Sequence, residues 1–155
     1  MKILIIVKSK HNDNTLKIAE AMSEAAPVTV TDLENVKYYK LDEYDIIGFG
    51  SGIYFGKHDK EILNFVKTLN NEPAFSFVFS TSGSKNFQKN NRTLIKLLES
   101  KNKTVLGSFG CQGYDKFFIF ALLGGINKDR PNIDDFDAAQ QFVQDIIEKY
   151  NNKKA

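Results

Sequence analysis

The chain has no tryptophan, one cysteine and no surplus of either charge. A single cysteine excludes an internal disulfide and fits a reducing, cytoplasmic setting. The balance of 21 basic against 19 acidic residues gives no electrostatic reason to expect a nucleic acid or an anionic membrane as partner. No apolar run approaches the roughly 20 residues that span a bilayer, so stable membrane insertion is not expected. The strand-like opening at residues 2–7 leaves no room for a signal peptide. The two histidines, His11 and His58, do not have metal-ligand spacing, and no metal site is expected. What remains is ordinary globular composition, 42% hydrophobic and 26% charged. It suits a single domain over 1–155, a length that buries roughly 70% of its unfolded surface.

Residues 2–7, KILIIV, form a short continuous apolar run rich in β-branched residues, the mark of a strand buried on both faces. A helix is predicted over about 14–26, where Leu16, Ala19, Met22 and Ala26 recur at spacings of three and four. Pro27 stops it, and VTVT at 28–31 alternates as a strand. Residues 32–44 read as a polar and aromatic connection, and DIIGFG at 45–50 as the next buried strand. Helices over about 59–69, 91–100 and 136–150 alternate with strands at 75–80 (FSFVFS) and 104–110 (TVLGSFG), and the tail after 150 is expected to fray. Five buried strands separated by amphipathic helices predict an α/β fold. The arrangement is a three-layer α/β/α sandwich on a five-stranded parallel sheet, order 2-1-3-4-5.

In such a sheet ligands bind beyond the carboxyl ends of the strands, at the switch point between the first and third. The segments there are KSKHNDNT, SGIYFGKHD, TSGSKN and CQGYDKF. A plain strand-to-helix connection needs two or three residues, whereas the first of these spends six polar ones. Ser9, Asn12, Asn14 and Thr15 offer hydrogen bonds beside the unpaired N–H groups of a helix start, which makes a phosphate cradle. The plain alternative is an overlong N-cap. The loop is neither a Walker loop nor GxGxxG. In the second segment Tyr54 and Phe55 follow a glycine-containing turn, where a planar heterocycle stacked on them would account for both; the alternative is that one packs under the loop. The third, STSGS at 80–84, lets backbone amides approach a flat ligand edge. A phosphate cradle, an aromatic shelf and an amide edge together describe FMN.

The order and spacing of NTLKIAEAM, DEYDIIGFGSGIYFG, FVFSTSGS and GGINKDRPNIDDFDAAQQF resemble the flavodoxin family over nearly the whole chain. The resemblance implies non-covalently bound FMN and electron transfer through the flavin. It places Ser9, His11, Asn12, Asn14 and Thr15 in the phosphate loop. Ser51, Gly52, Ile53, Tyr54, Phe55 and Gly56 fall in the loop over one flavin face, and Thr81, Ser82, Gly83 and Ser84 in the loop at the pyrimidine edge. The family's usual glycine before NT is Asp13 here, whose carboxylate should point to solvent with Lys10 or His11 offsetting it. Without tryptophan, any stacking falls to Tyr54, Phe55, Phe109 or Tyr114. Lys57 stands where the family often has an acid, which implies a less negative second reduction potential. Gly56 either flips its peptide toward a reduced flavin or is an ordinary turn glycine.

His58 reads as a solvated helix start and Cys111 as a small buried thiol. The apolar run at 117–123 is either a buried flap or a docking surface beside the flavin. The reading that follows is an FMN-binding electron carrier, with no acid–base catalytic residue, serving redox partner proteins as donor and acceptor. The alternative is a flavin-dependent oxidoreductase acting on a quinone- or porphyrinogen-type substrate. A flavin-free binding domain fits less well, since no acidic cluster follows the first strand and no phosphorylatable aspartate the third.

Overall fold

The structure, a computed structural model, describes residues 1–10, 13–70, 73–113 and 129–155. The elements run β1 (Ile3–Lys8), α1 (Asn14–Ala25), β2 (Val28–Asp32), β3 (Ile46–Tyr54) and β4 (Lys57–His58), then α2 (Lys60–Lys67), β5 (Phe75–Ser82), α3 (Phe87–Ser100), β6 (Thr104–Gln112) and α4 (Ile133–Lys154). Two single 3₁₀ turns, Val36–Tyr38 and Leu41–Glu43, interrupt the connection after β2. The five long strands are all parallel, in the order β2-β1-β3-β5-β6. This is the expected 2-1-3-4-5 sheet. A sixth, two-residue strand, β4, pairs antiparallel with the end of β3 and was not anticipated.

The continuous apolar run of β1 is explained by burial on both faces. Ile3, Ile5 and Val7 pack with Ile18 and Met22 of α1 and with Ala139, Val143 and Ile146 of α4. Leu4 and Ile6 point the other way, against Ile62 and Val66 of α2 and Leu94 and Leu98 of α3. Each Val, Leu, Ile or Met side chain among them, fully removed from water, stabilises the fold by about 1.5–3 kcal/mol. Gly48 and Gly50 of β3 lie in register with Phe77 and Phe79 of β5. A Cβ on either glycine would sit 2.2 Å from the facing ring, so the large rings of one strand fill space that the other vacates.

The structure extends several elements beyond their predicted limits, toward the site. β3, β5 and β6 run past Gly50, Ser80 and Gly110, because the ladder pairs Lys8↔Ser51, Gly52↔Thr81 and Ser82↔Gln112 keep the backbone bonded after the apolar pattern ends. Ser51 to Tyr54, expected in a loop, are therefore strand. α3 begins at Phe87 rather than near Asn91. Its first turns bury Asn90 and Asn91, which bond to Ser82 Oγ at 3.2 Å and to the Phe109 carbonyl at 3.1 Å, and such polar interior positions are silent in hydropathy. The tail does not fray at Tyr150; α4 continues to Lys154, whose ammonium lies over the Phe75 and Tyr150 rings. Among the described residues, no helix is long and apolar enough to cross a membrane.

Candidate functional site

Register places Lys8, Ser51, Ser80 and Gly110 side by side across the sheet, so the segments that follow them share one rim. At the first, Asp13 enters α1 with φ 54° and ψ 31° and makes no side-chain cap, and the first helical turn carries no carboxylate. The position where the family has glycine is thus left-handed, a conformation aspartate tolerates better than most residues. Asp13 is exposed, as its charge requires. The start of α3 is likewise without a side-chain cap or a first-turn carboxylate, whereas α2 and α4 differ. Asp59 caps α2 by accepting from the Glu61 amide at 2.9 Å, and Asn132 and Asp135 close a full capping box on α4. At α1 a neutral hydroxyl attends the first turn: the Leu16 amide donates to Ser9 Oγ at 3.3 Å. Behind it Asn14 and Thr15 are buried. Thr15 Oγ1 lies 2.8 Å from Thr81 Oγ1, tying the first segment to the third. The backbone beyond β6 comes so close that a Cβ on Gly113 would sit 2.7 Å from Asn14 Nδ2. His11 and Asn12 lie outside the described residues.

The second segment is a β-hairpin. Ile53 pairs with His58 and Tyr54 with Lys57, leaving Phe55 and Gly56 as a two-residue turn with φ 53° and 77°. Two positive φ values are the signature of a type I′ turn, which normally takes Asn-Gly. A phenylalanine there costs of the order of 1–3 kcal/mol in backbone strain, and its ring is 90% exposed. The two aromatics divide: Phe55 projects from the tip, while Tyr54 turns back toward Gly52, its hydroxyl 3.1 Å from where a Cβ would stand. Ser51 is buried, accepting from the Asp59 amide at 2.9 Å and donating to the Gly52 carbonyl at 2.7 Å. Its hydroxyl braces the hairpin to α2.

His58 is not the solvated residue expected from the sequence. It is 2% exposed, with Nε2 2.9 Å from the Phe79 carbonyl oxygen, because the hairpin turns position 58 back onto the sheet. Burial pushes its pKa down to about 4, so the imidazole is neutral at pH 7. Lys10 does not offset Asp13 either. It pairs with the buried Asp59 at 3.0 Å and reaches Glu61 at 3.9 Å. Lys8 holds Glu34 and, at 3.1 Å, Glu61; hydrogen bonds to Glu34 first and Glu61 second raise it above the ordinary lysine range.

In the third segment Thr81 and Ser82 close β5. Ser82 Oγ donates to the Ser84 carbonyl at 2.8 Å, and the Ser82 carbonyl accepts from the Gly113 amide at 2.9 Å. The Gly83 carbonyl accepts from Gln112 Nε2 at 3.5 Å, and Gln112 Oε1 from Arg130 at 3.2 Å. Arg130 then forks onto Asp135 at 2.6 and 2.5 Å. Burial, the largest single influence, would raise the Asp135 carboxyl, but the Arg130 bonds and charge together with the Asn132 amide outweigh it and hold the group below the usual carboxylate range. This relay from α4 to the loop was missed by sequence reasoning. The Asn132-x-x-Asp135 spacing could have revealed the cap, whereas nothing local marks Arg130 or Gln112. Cys111 is buried as expected, its thiol pushed up to about 12 by burial, so it is protonated and unreactive at neutral pH. Tyr114 and the apolar 117–123 run lie outside the described residues.

Uncapped helix start, exposed aromatic tip and backbone-rich edge therefore meet at one rim, an arrangement suited to an anion attached to a flat ring system. The model of the family described as "Flavodoxin domain" matches residues 4–133. The chain belongs to this family. An uncharacterized protein of Methanocaldococcus jannaschii is 41% identical over 149 residues, covering 95% of this chain and 99% of its own length. Among solved structures, a flavodoxin from the domain Archaea superposes with TM-score 0.73 at 16% identity, over 97% of this chain and 99% of its own. A flavoprotein of Lactobacillus acidophilus, solved in complex with FMN, superposes with TM-score 0.58 at 17% identity, over 70% of this chain and 92% of its own. At these identities the superpositions speak to the flavodoxin fold.

Proposed function

We propose that the chain is a single flavodoxin-type domain, residues 1–155, that binds FMN at this rim and carries electrons between redox partner proteins in the cytoplasm. The observation that carries the reading is the joining of the three segments. The start of α1, which has neither a side-chain cap nor a first-turn carboxylate, is tied through Thr15 and Thr81 to the edge of β5, beside a hairpin that exposes an aromatic ring at energetic cost. The residues fit the group. Ser9, Asn14 and Thr15 would hold the phosphate at the positive end of the α1 dipole. Phe55 and Tyr54 would line one face of the ring, and the backbone of residues 81–84 its polar edge. His11 and Asn12 belong to the same phosphate set by resemblance.

FMN, when bound, supplies reversible uptake of electrons. The protein's part is to fix the ring, limit its access to water and set its potential. Gly56, with φ 77°, can present the carbonyl of the peptide before it without a side-chain penalty. Lys57 adds a positive charge beside the ring, which favours the reduced, more negative state. Lys57→Glu is therefore expected to make the second reduction potential more negative in a dithionite titration. An unchanged potential would remove Lys57 from the account.

The reading is tested by the visible spectrum of the purified chain after mixing with FMN and desalting. Retained absorbance at flavin wavelengths is the expected result, and a colourless protein would overturn it. Steady reduction of a quinone by a nicotinamide donor with this protein alone would instead identify an oxidoreductase acting on its own substrate.

A further inference from the structure

Beside the hairpin tip, a groove of about 460 Å³ runs between β4 and α3, lined by Phe55, Gly56, Lys57, Lys89, Arg92 and Thr93. From Lys85 to Leu98 the chain carries four cations and no carboxylate. Lys89, Arg92 and Lys96 are exposed and recur at spacings of three and four, which puts them on one face of α3. Among the described residues none of these, nor Lys57, takes part in an ion pair. The carboxylates that follow Lys57 are already committed, Asp59 to Lys10 and Glu61 to Lys8 and Lys10, and the single carboxylate of α3, Glu99, stands at its far end. Like charges three and four apart weaken a helix, so this row stands against the local stability of α3. The near-neutral total charge hides it, since the acids lie elsewhere: α4 opens with Asp134 and Asp135, and Asp42 and Glu43 follow β2.

We infer that the α3–hairpin face is the docking surface for an acidic redox protein, with Phe55 as the apolar centre and Lys57, Lys89, Arg92 and Lys96 as a positive rim. This rests on the carrier reading above. A large exposed ring surrounded by charges of one sign has the anatomy of an interface with a desolvated centre and a steering rim. The sign commits the partner, because a basic protein would be repelled here and steered away from the hairpin.

The test uses a plant-type [2Fe–2S] ferredoxin as the acidic probe, titrated into the ¹⁵N-labelled chain at 20 and 200 mM salt, with and without FMN. The expected result is amide shifts concentrated at 55–57 and 89–96, with affinity falling roughly tenfold between the two salt concentrations. The triple variant Lys89→Glu, Arg92→Glu, Lys96→Glu should abolish the shifts, and the Gln triple should weaken them. An equal charge change at the opposite end of the strands (Lys2→Glu, Lys40→Glu, Lys153→Glu) should leave them in place. Shifts that fall elsewhere, that survive the α3 reversal, or that are absent at low salt overturn the inference. The carrier reading fails separately: a chain that docks the probe through α3 yet takes up no FMN keeps the surface and loses the cofactor. A chain that takes up FMN without docking does the reverse.

Discussion

Asp13 carries two costs at one position, a left-handed backbone and a carboxylate beside the proposed phosphate loop. Asp13→Gly removes both. It should raise stability by about 0.5–1 kcal/mol and tighten FMN binding roughly fivefold, the effect of losing about 1 kcal/mol of like-charge repulsion. Urea midpoints and a fluorescence titration would measure the two separately, and weaker binding would contradict the phosphate assignment. His58 makes a pH prediction. Its folded pKa of about 4 lies below the unfolded value of 6.5, so between these values the unfolded chain binds the extra proton. Stability is full above pH 6.5 and declines as the pH falls toward 4, by up to about 3 kcal/mol. NMR titration of the His58 ring should show no protonation until near pH 4; a midpoint near 6.5 would refute its burial. The charge cost of Asp13 is legible in the sequence, but the burial of His58 is not. A histidine before Asp59 looks like part of a helix start, and only the hairpin turns it inward.

At the level of elements, the sequence announces the sheet and conceals the rim. β1 and the body of β3 and β5 are legible because both faces are buried and most of their residues are apolar. The strand ends are not, because Ser51, Gly52, Thr81 and Ser82 pair through their backbones while the hydroxyls of Ser51, Thr81 and Ser82 turn to hydrogen bonding. The hairpin was equally hidden: Phe-Gly is a rare pair for a turn that prefers Asn-Gly, so the strongest local signal was missing. The matching of β3 glycines to β5 rings gives a direct test. Gly50→Ala forces a methyl group to within 2.2 Å of Phe79, and overpacking of this kind costs about 1–3 kcal/mol. A chemical denaturation midpoint equal to that of the wild type would mean that the rings move freely, against their complete burial.

For the whole molecule, the parallel sheet aligns four strand ends, and the loops at one rim then do what none could do alone. The same alignment explains why the resemblance to flavodoxins rested on order and spacing rather than on any single motif. The family supplies the frame, while on the proposed reading Asp13, Phe55, Lys57 and the cations of α3 would set how tightly it holds FMN, at what potential and to whom it passes electrons. Net charge, a sum over the surface, could not reveal that the positive residues gather beside the hairpin. The most direct test of the account is an amide ¹H–¹⁵N spectrum of the chain with and without one equivalent of FMN. The account predicts perturbations confined to residues 9–15, 52–57 and 81–84 and their neighbours across the rim. Perturbations spread over the opposite ends of the strands, or none at all, would contradict it.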